Sequence, residues 1–294
     1  MKPASFAYHA PSTVDEALAL LQANGPDSCM LAGGQSLIPM MNFRLAAPSV
    51  IIDLNRIPDL AYIRDQGDAV CIGAMTRQRA IEFSAIVADK LPVLRAAIKL
   101  VGHLPTRSRG TIGGSIAHAD PAAELPMVLQ ALDGAVVVRG PKGQRSIAAS
   151  ELFKDAMTTS IAPDEILVEV RLPLMPAGAG FAIEEFARRH GDFAIAAVGC
   201  LVTLDAADII QKAALCVSGL GPGPVRLAGA ERLLAGQKPS HELFRAAAVE
   251  AEALDAVDDA FVTAAYRKHL ARVLTYRALE RAVADRRSAR GAAA

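Results

Sequence analysis

Two stretches, Ala32-Gly33-Gly34-Gln35-Ser36 and Thr111-Ile112-Gly113-Gly114-Ser115, set the same glycine pair in nearly the same frame. Each follows a β-leaning run, Cys29-Met30-Leu31 in the first case and Arg109-Gly110-Thr111-Ile112 in the second, and leads into small or hydroxylated residues. A glycine pair lets the backbone approach a ligand closely and adopt φ values closed to other residues. Successive amides in such a turn form a concave anion cradle. Two cradles far apart in sequence can hold one long ligand with a diphosphate in its middle, as a dinucleotide has. One pair alone reads as a plain turn. Gly219-Leu220-Gly221-Pro222-Gly223-Pro224 reads as a turn as well, because its prolines lack the N–H that binds phosphate.

Around the first pair the local signals are strong. Thr13-Val14-Asp15-Glu16 is a capping box, Val14, Ala17, Leu18 and Leu21 recur at helical spacing, and Gly25-Pro26 ends the helix. With strands expected at 29–32 and 50–54, the opening segment is a small β-α-β unit whose glycine turn sits at a strand's carboxyl end. Around the second pair, a strand is expected at 69–74, helices from Thr76 and over 91–100, and strands at 135–139 and 166–172. Pro173, Pro176, Gly178 and Gly180 mark a linker. Beyond it come strands at 181–187, 193–204 and 213–219. A long amphipathic helix follows, with Ala265, His269, Arg272, Val273, Tyr276, Leu279 and Val283 on one side. The units expected are 1–57, 58–177 and 178–294.

At 294 residues the chain can bury roughly 75% of its unfolded surface. No staple is needed to hold such a fold. Lys plus Arg is 31 and Asp plus Glu is 31, a balance that argues against a nucleic-acid or membrane-surface binder. The start of the chain lacks the apolar core of a signal peptide, and the longest apolar run, 193–204, is too short to span a bilayer. A soluble, cytoplasmic protein is expected. The four cysteines, Cys29, Cys71, Cys200 and Cys216, stand singly, so an iron–sulfur cluster within this chain is not expected. His118 and Asp120 lack a third ligand at useful spacing, and no metal site is assigned.

Three motifs together resemble a known family. They are Ala32 to Pro39 with Arg44 downstream, Thr111-Ile112-Gly113-Gly114-Ser115-Ile116-Ala117-His118-Ala119-Asp120-Pro121, and Arg188-Arg189-His190-Gly191-Asp192-Phe193-Ala194. Their order and spacing are similar to those of the FAD-binding medium subunit of bacterial molybdenum hydroxylases, the carbon monoxide dehydrogenase and xanthine dehydrogenase relatives. The resemblance implies an α+β fold. It would have a two-lobed FAD-binding region of the vanillyl-alcohol-oxidase (PCMH) type, then a small C-terminal α+β domain with a three-stranded antiparallel sheet and helices.

The resemblance also implies non-covalent FAD, with its diphosphate on Ala32, Gly33, Gly34, Gln35 and Ser36 and on Thr111, Ile112, Gly113, Gly114 and Ser115. Asp120 and Glu124 would lie towards the ribityl or adenosine portion, and Asp192 and Phe193 would approach the isoalloxazine ring. Leu37, Val101, Ala117, Ile161 and Ile166 complete the implied cofactor contacts, and no catalytic residue is assigned. A partner with a molybdenum-pterin centre and another with [2Fe-2S] clusters are implied, in a dimer of heterotrimers, with electrons leaving through FAD to an external acceptor. Two residues depart from the family pattern: Glu185 stands where many relatives have lysine, and Phe193 where some have tyrosine. A self-sufficient flavin oxidase of the same fold and a non-catalytic nucleotide-binding module remain the competing readings.

Overall fold

The computed structural model describes residues 1–293, with side chains described as far as Ser288. In the first lobe, Val50–Asp53 forms the centre of a three-stranded parallel sheet, flanked by Ala7–His9 and Ser28–Leu31. The helix Val14–Asn24 opens on Thr13, whose Oγ1 accepts from the Glu16 amide at 3.1 Å. Glu16 does not close the reciprocal half of the box on Thr13; its carboxylate accepts from the Ser12 amide at 2.7 Å instead. The strand Ala7–His9 was not anticipated. It is short and mostly exposed, and its pairing with Val50–Ile52 makes it a strand.

The second lobe holds a five-stranded antiparallel sheet in the order Ile63–Asp65, Ala69–Gly73, Ile166–Pro173, Ala135–Gly140, Gly143–Ala148. Short helices at Gln78–Glu82, Ala85–Lys90, Pro92–Ile98 and Glu124–Ala131 bury their apolar residues with those of this sheet in one core. The helix expected from Thr76 starts two residues later, because the Thr76 hydroxyl is bonded to the Tyr62 backbone at 2.9 Å.

In the C-terminal domain the sheet has four strands, not three: Gly180–Phe186, Ala196–Leu204, Ile210–Ser218 and Val225–Arg226. The added two-residue strand is held by Arg226, which bonds Glu231 at 2.7 Å and Asp133 at 2.6 Å. The second strand begins at Ala196, so Phe193 lies outside it and is 69% exposed. The last helix, Ala264–Ala293, buries Leu270, Ala271, Leu274, Ala278, Leu279, Ala282 and Val283; of the side expected, Leu279 and Val283 are buried, while Ala265, His269 and Arg272 are exposed. Small residues win the buried face because the helix lies almost on the sheet. A Cβ on Gly180 would stand 1.9 Å from the Ala282 carbonyl oxygen.

The three parts share their cores. Met75, Val137, Ile166 and Val168 of the second lobe pack with Leu18, Leu21, Ile52 and Leu54 of the first. Ala197, Leu201, Ala214 and Cys216 of the C-terminal sheet join the core of the second lobe, while the opposite face of that sheet packs on its own helices. Among the described residues no helix is long and apolar enough to cross a membrane.

Candidate functional site

The first glycine motif leaves the end of the strand Ser28–Leu31 and enters the helix Leu37–Asn42. Gly34 sits at φ +72°, the left-handed region that favours glycine. The consecutive amides of Gly33, Gly34, Gln35, Ser36 and Leu37 have no acceptor among the described residues; bonding resumes at Ile38, whose amide meets the Gly34 carbonyl at 3.2 Å. Buried or half-buried amides are normally paired, so a run of free donors facing a cleft is a ready receptor for an anion. The Ser36 hydroxyl makes no capping bond and points to the same role. Gly33 is glycine for a further reason: a Cβ there would lie 2.5 Å from the Arg109 carbonyl oxygen and 2.7 Å from Gly110 Cα.

The second motif is built differently and corrects the expectation of a matching cradle. Gly113 and Gly114 form the first turn of a helix, Ile112–His118, and their amides are already used. Gly113 donates to the Ala74 carbonyl at 2.9 Å, Gly114 to Thr111 Oγ1 at 3.1 Å, and Ser115 to the Thr111 carbonyl at 3.2 Å. A Cβ on Gly113 would stand 2.6 Å from the Ala74 Cβ, so this glycine serves packing. The donors left to a ligand are the Thr111 and Ser115 hydroxyls, since a hydroxyl can accept one bond and donate another. The motifs are neighbours in space: a Cβ on Gly114 would come within 3.3 Å of Ala32 Cβ.

Both motifs line one cleft of about 1410 Å³, walled also by Arg188, Asp192, Phe193 and the segment 257–262 of the C-terminal domain. That exceeds the roughly 300–1,000 Å³ of a drug-sized pocket and suits a long ligand. Arg267, 8% exposed, holds the C-terminal wall together by bonding the Ile195 carbonyl at 2.7 Å, the Gly219 carbonyl at 2.6 Å and the Asp259 carboxylate. At the rim, Arg189 pairs with Asp192 at 3.0 Å and the Arg188 guanidinium lies 5.0 Å from the Phe261 ring centre.

Glu124 starts the helix Glu124–Ala131 on the cleft wall and is 7% exposed. Burial pushes its carboxyl up to about 8, and repulsion from Glu185 and Asp120 adds to the rise. Burial alone pushes Glu185 up to about 7. Glu185 Oε2 has no hydrogen-bond partner among the described residues.

Of the residues expected at the cofactor, Ala32 to Leu37, Val101, Thr111, Gly113, Gly114, Ser115, Ala117, Asp120, Glu124, Ile166, Asp192 and Phe193 line the cleft. Ile112 and Ile161 do not. Ile112 is 1% exposed within the core of the second lobe, and Ile161 packs on the edge of that core. The reading from sequence missed Gln78, Phe261 and Arg267 on the lining. None carries a local pattern; each arrives through long-range packing.

Residues 4–175 match the family model for the FAD binding domain in molybdopterin dehydrogenase, and residues 181–282 the model for the CO dehydrogenase flavoprotein C-terminal domain. The 6-hydroxypseudooxynicotine dehydrogenase complex subunit alpha of Paenarthrobacter nicotinovorans is 42% identical over 284 residues, covering 96% of each chain. The carbon monoxide dehydrogenase medium chain of Afipia carboxidovorans is 39% identical, over 97% of this chain and 99% of that one. A solved structure of carbon monoxide dehydrogenase from Hydrogenophaga pseudoflava, lacking the Mo-pyranopterin moiety of its molybdenum cofactor, superposes with a TM-score of 0.94 at 38% identity, over 97% of this chain and 99% of that one. The chain belongs to the FAD-binding molybdopterin dehydrogenase family and is an FAD-containing subunit of an oxidoreductase complex of the molybdenum hydroxylase type.

Proposed function

We propose that this chain is the medium subunit of a heterotrimeric molybdenum hydroxylase, and that electrons from [2Fe-2S] clusters in a small partner subunit pass through its FAD to an external acceptor. The run of free amides from Gly33 to Leu37, facing a long cleft, is the observation that carries the reading. These donors fit a diphosphate without a lysine, because hydrogen bonds to a charged group contribute about 1.5–3 kcal/mol each. The amides and the Ser36, Thr111 and Ser115 hydroxyls would hold the diphosphate. Asp120 and Glu124 would face the ribityl or adenosine portion, and Asp192 and Phe193 the ring. When bound, FAD supplies the electron-transfer chemistry; the chain binds it, orients it and shields it.

The relatives support a substrate handled elsewhere in the complex. Chains whose names specify 6-hydroxypseudooxynicotine and carbon monoxide, chemically unrelated molecules, resemble this one to nearly the same degree. A large molybdenum-cofactor subunit would bind the substrate, and a dimer of heterotrimers in the cytoplasm is the assembly proposed. A self-sufficient flavin dehydrogenase needs an acid or base beside the ring, and no residue of this chain is assigned that role. Purification of the chain alone separates the two readings. The expected result is a yellow protein that gives no turnover with an artificial acceptor until both partner subunits are added. Turnover by the chain alone, or a colourless protein that takes up no FAD, would overturn the subunit reading.

A further inference from the structure

Behind the glycine motifs, on the side away from the cleft, one polar chain joins the two lobes. Asn55 Nδ2 donates to the Ala32 carbonyl at 2.9 Å, and Asn55 Oδ1 accepts from Arg77 Nη2 at 2.6 Å. Arg77 Nη1 then donates to the Arg109 carbonyl. The residue before Gly33 is thus tied to the residue before Gly110 through two side chains. Both ends of the tie are themselves fixed. Asp53 Oδ1 accepts from the Asn55 amide at 2.9 Å, and Asp53 Oδ2 accepts from the Tyr8 hydroxyl at 2.5 Å. Either side of Arg77, the Thr76 carbonyl accepts from the Ile112 amide at 3.2 Å and the Gln78 amide donates to the Gly110 carbonyl at 2.9 Å.

We infer that Asn55 and Arg77 are positioning residues that fix the separation of the two glycine motifs at the cofactor's diphosphate. The inference rests on the FAD reading above and adds to it residues that do not line the cleft. Neither side chain lines the cleft; both border a separate cavity of about 450 Å³, together with Tyr62 and Thr76. The place of the tie matters because Gly33 meets Arg109 and Gly110 there with no room for a Cβ. The free amides from Gly33 to Leu37 and the Thr111 and Ser115 hydroxyls can serve one diphosphate only while that contact holds. Arginine suits the task and lysine does not: a planar fork serves two acceptors in fixed directions, whereas an ammonium is a point charge on a flexible stem.

The test uses the full chain stripped of flavin and titrated with FAD. Arg77→Lys, which keeps the charge and the stem, and Asn55→Ala are each expected to weaken FAD binding about tenfold, because the two glycine motifs lose their fixed separation in the flavin-free chain. The double variant is expected to be no weaker than the poorer single one by more than about threefold, because both substitutions cut the same chain. The melting midpoint of the flavin-free protein is expected to move by less than about 2 °C. FAD binding at the unsubstituted affinity in both variants would overturn the inference. So would losses that multiply in the double variant, or a fall in the flavin-free melting midpoint large enough to account for the lost affinity. Failure of the unsubstituted chain to bind FAD strikes the functional reading instead, and the two failures are told apart by that control.

Discussion

The two walls of the cleft carry nearly the same five-residue motif and do opposite things with it. On the first wall, the amides from Gly33 to Leu37 are donors without acceptors among the described residues. On the second, the amides of Gly113, Gly114 and Ser115 are all satisfied within the protein, and what remains unsettled is the buried carboxyl of Glu124, which Glu185 of the C-terminal sheet repels. A glycine pair before a serine therefore has no single meaning. In the first motif glycine frees the backbone for a ligand; in the second it lets a helix start against the Ala74 backbone.

The largest loss is expected from Gly113→Ala. Its Cβ would stand 2.6 Å from Ala74 Cβ and 2.7 Å from the Ala74 carbonyl oxygen, and overpacking of that kind at a buried backbone contact is expected to cost about 3 kcal/mol or more. Urea unfolding of the flavin-free protein measures it. Stability equal to the unsubstituted chain would show that the second motif is not a packing device. Gly33→Ala comes next and acts on the other property. The lobes are pushed apart at Arg109, and FAD affinity is expected to fall about hundredfold, or about 2.7 kcal/mol, with a smaller loss of flavin-free stability. Flavin fluorescence titration reads the first quantity and urea unfolding the second.

The acid pair sharpens the contrast through pH. Both carboxyls have folded values raised above the ordinary 4.5, to about 8 for Glu124 and about 7 for Glu185. Their contribution to stability is therefore full below about pH 4.5 and is lost as pH rises through 7 and 8. Glu185→Gln is expected to leave stability near pH 5 almost unchanged and to raise it by about 1–3 kcal/mol at pH 8.5, the cost of ionising a carboxyl whose folded value is raised. Equal effects at both pH values would mean that Glu185 titrates at the same pH in the folded chain as in the unfolded one. The smallest effects belong to the hydroxyls. Ser36→Ala is expected to weaken FAD binding about fivefold with no change in melting, since Ser36 caps nothing. Thr111→Ala is expected to cost about 1 kcal/mol of flavin-free stability as well, because it removes the cap on Gly114. A silent melting curve for Thr111→Ala would erase that difference.

Much of the fold is legible from short-range chemistry. The Thr13 cap, the Gly25 stop and the apolar runs at 50–54, 69–74 and 166–172 place elements within a residue or two of where they lie. What the sequence hides is whatever depends on a distant partner. Ala7–His9 becomes a strand through Val50–Ile52, and the Val225–Arg226 strand depends on Asp133, far back in the chain. Phe193 continues an apolar run by composition, yet the strand starts only at Ala196 and leaves the ring exposed on the cleft rim. The site follows the same rule. Its glycine and hydroxyl residues are plain in the sequence, but whether an amide is free is decided by an acceptor such as Ala74, a long way upstream of Gly113. Asn55 and Arg77 carry no motif at all.

The interlocked cores have a consequence for how a cofactor gets in and out. Swinging the first lobe away would bare Met75, Val137, Ile166 and Val168 to water. At about 1.5–3 kcal/mol for each such side chain, that approaches the entire 5–15 kcal/mol that keeps a typical domain folded. Hinged gaping of the molecule therefore carries a cost on the scale of unfolding it. Exchange of the nucleotide has to proceed along the mouth of the cleft, past Phe193 and Phe261, so the rate at which a loaded chain gives up its flavin is a property of that threshold and of whichever neighbour lies across it.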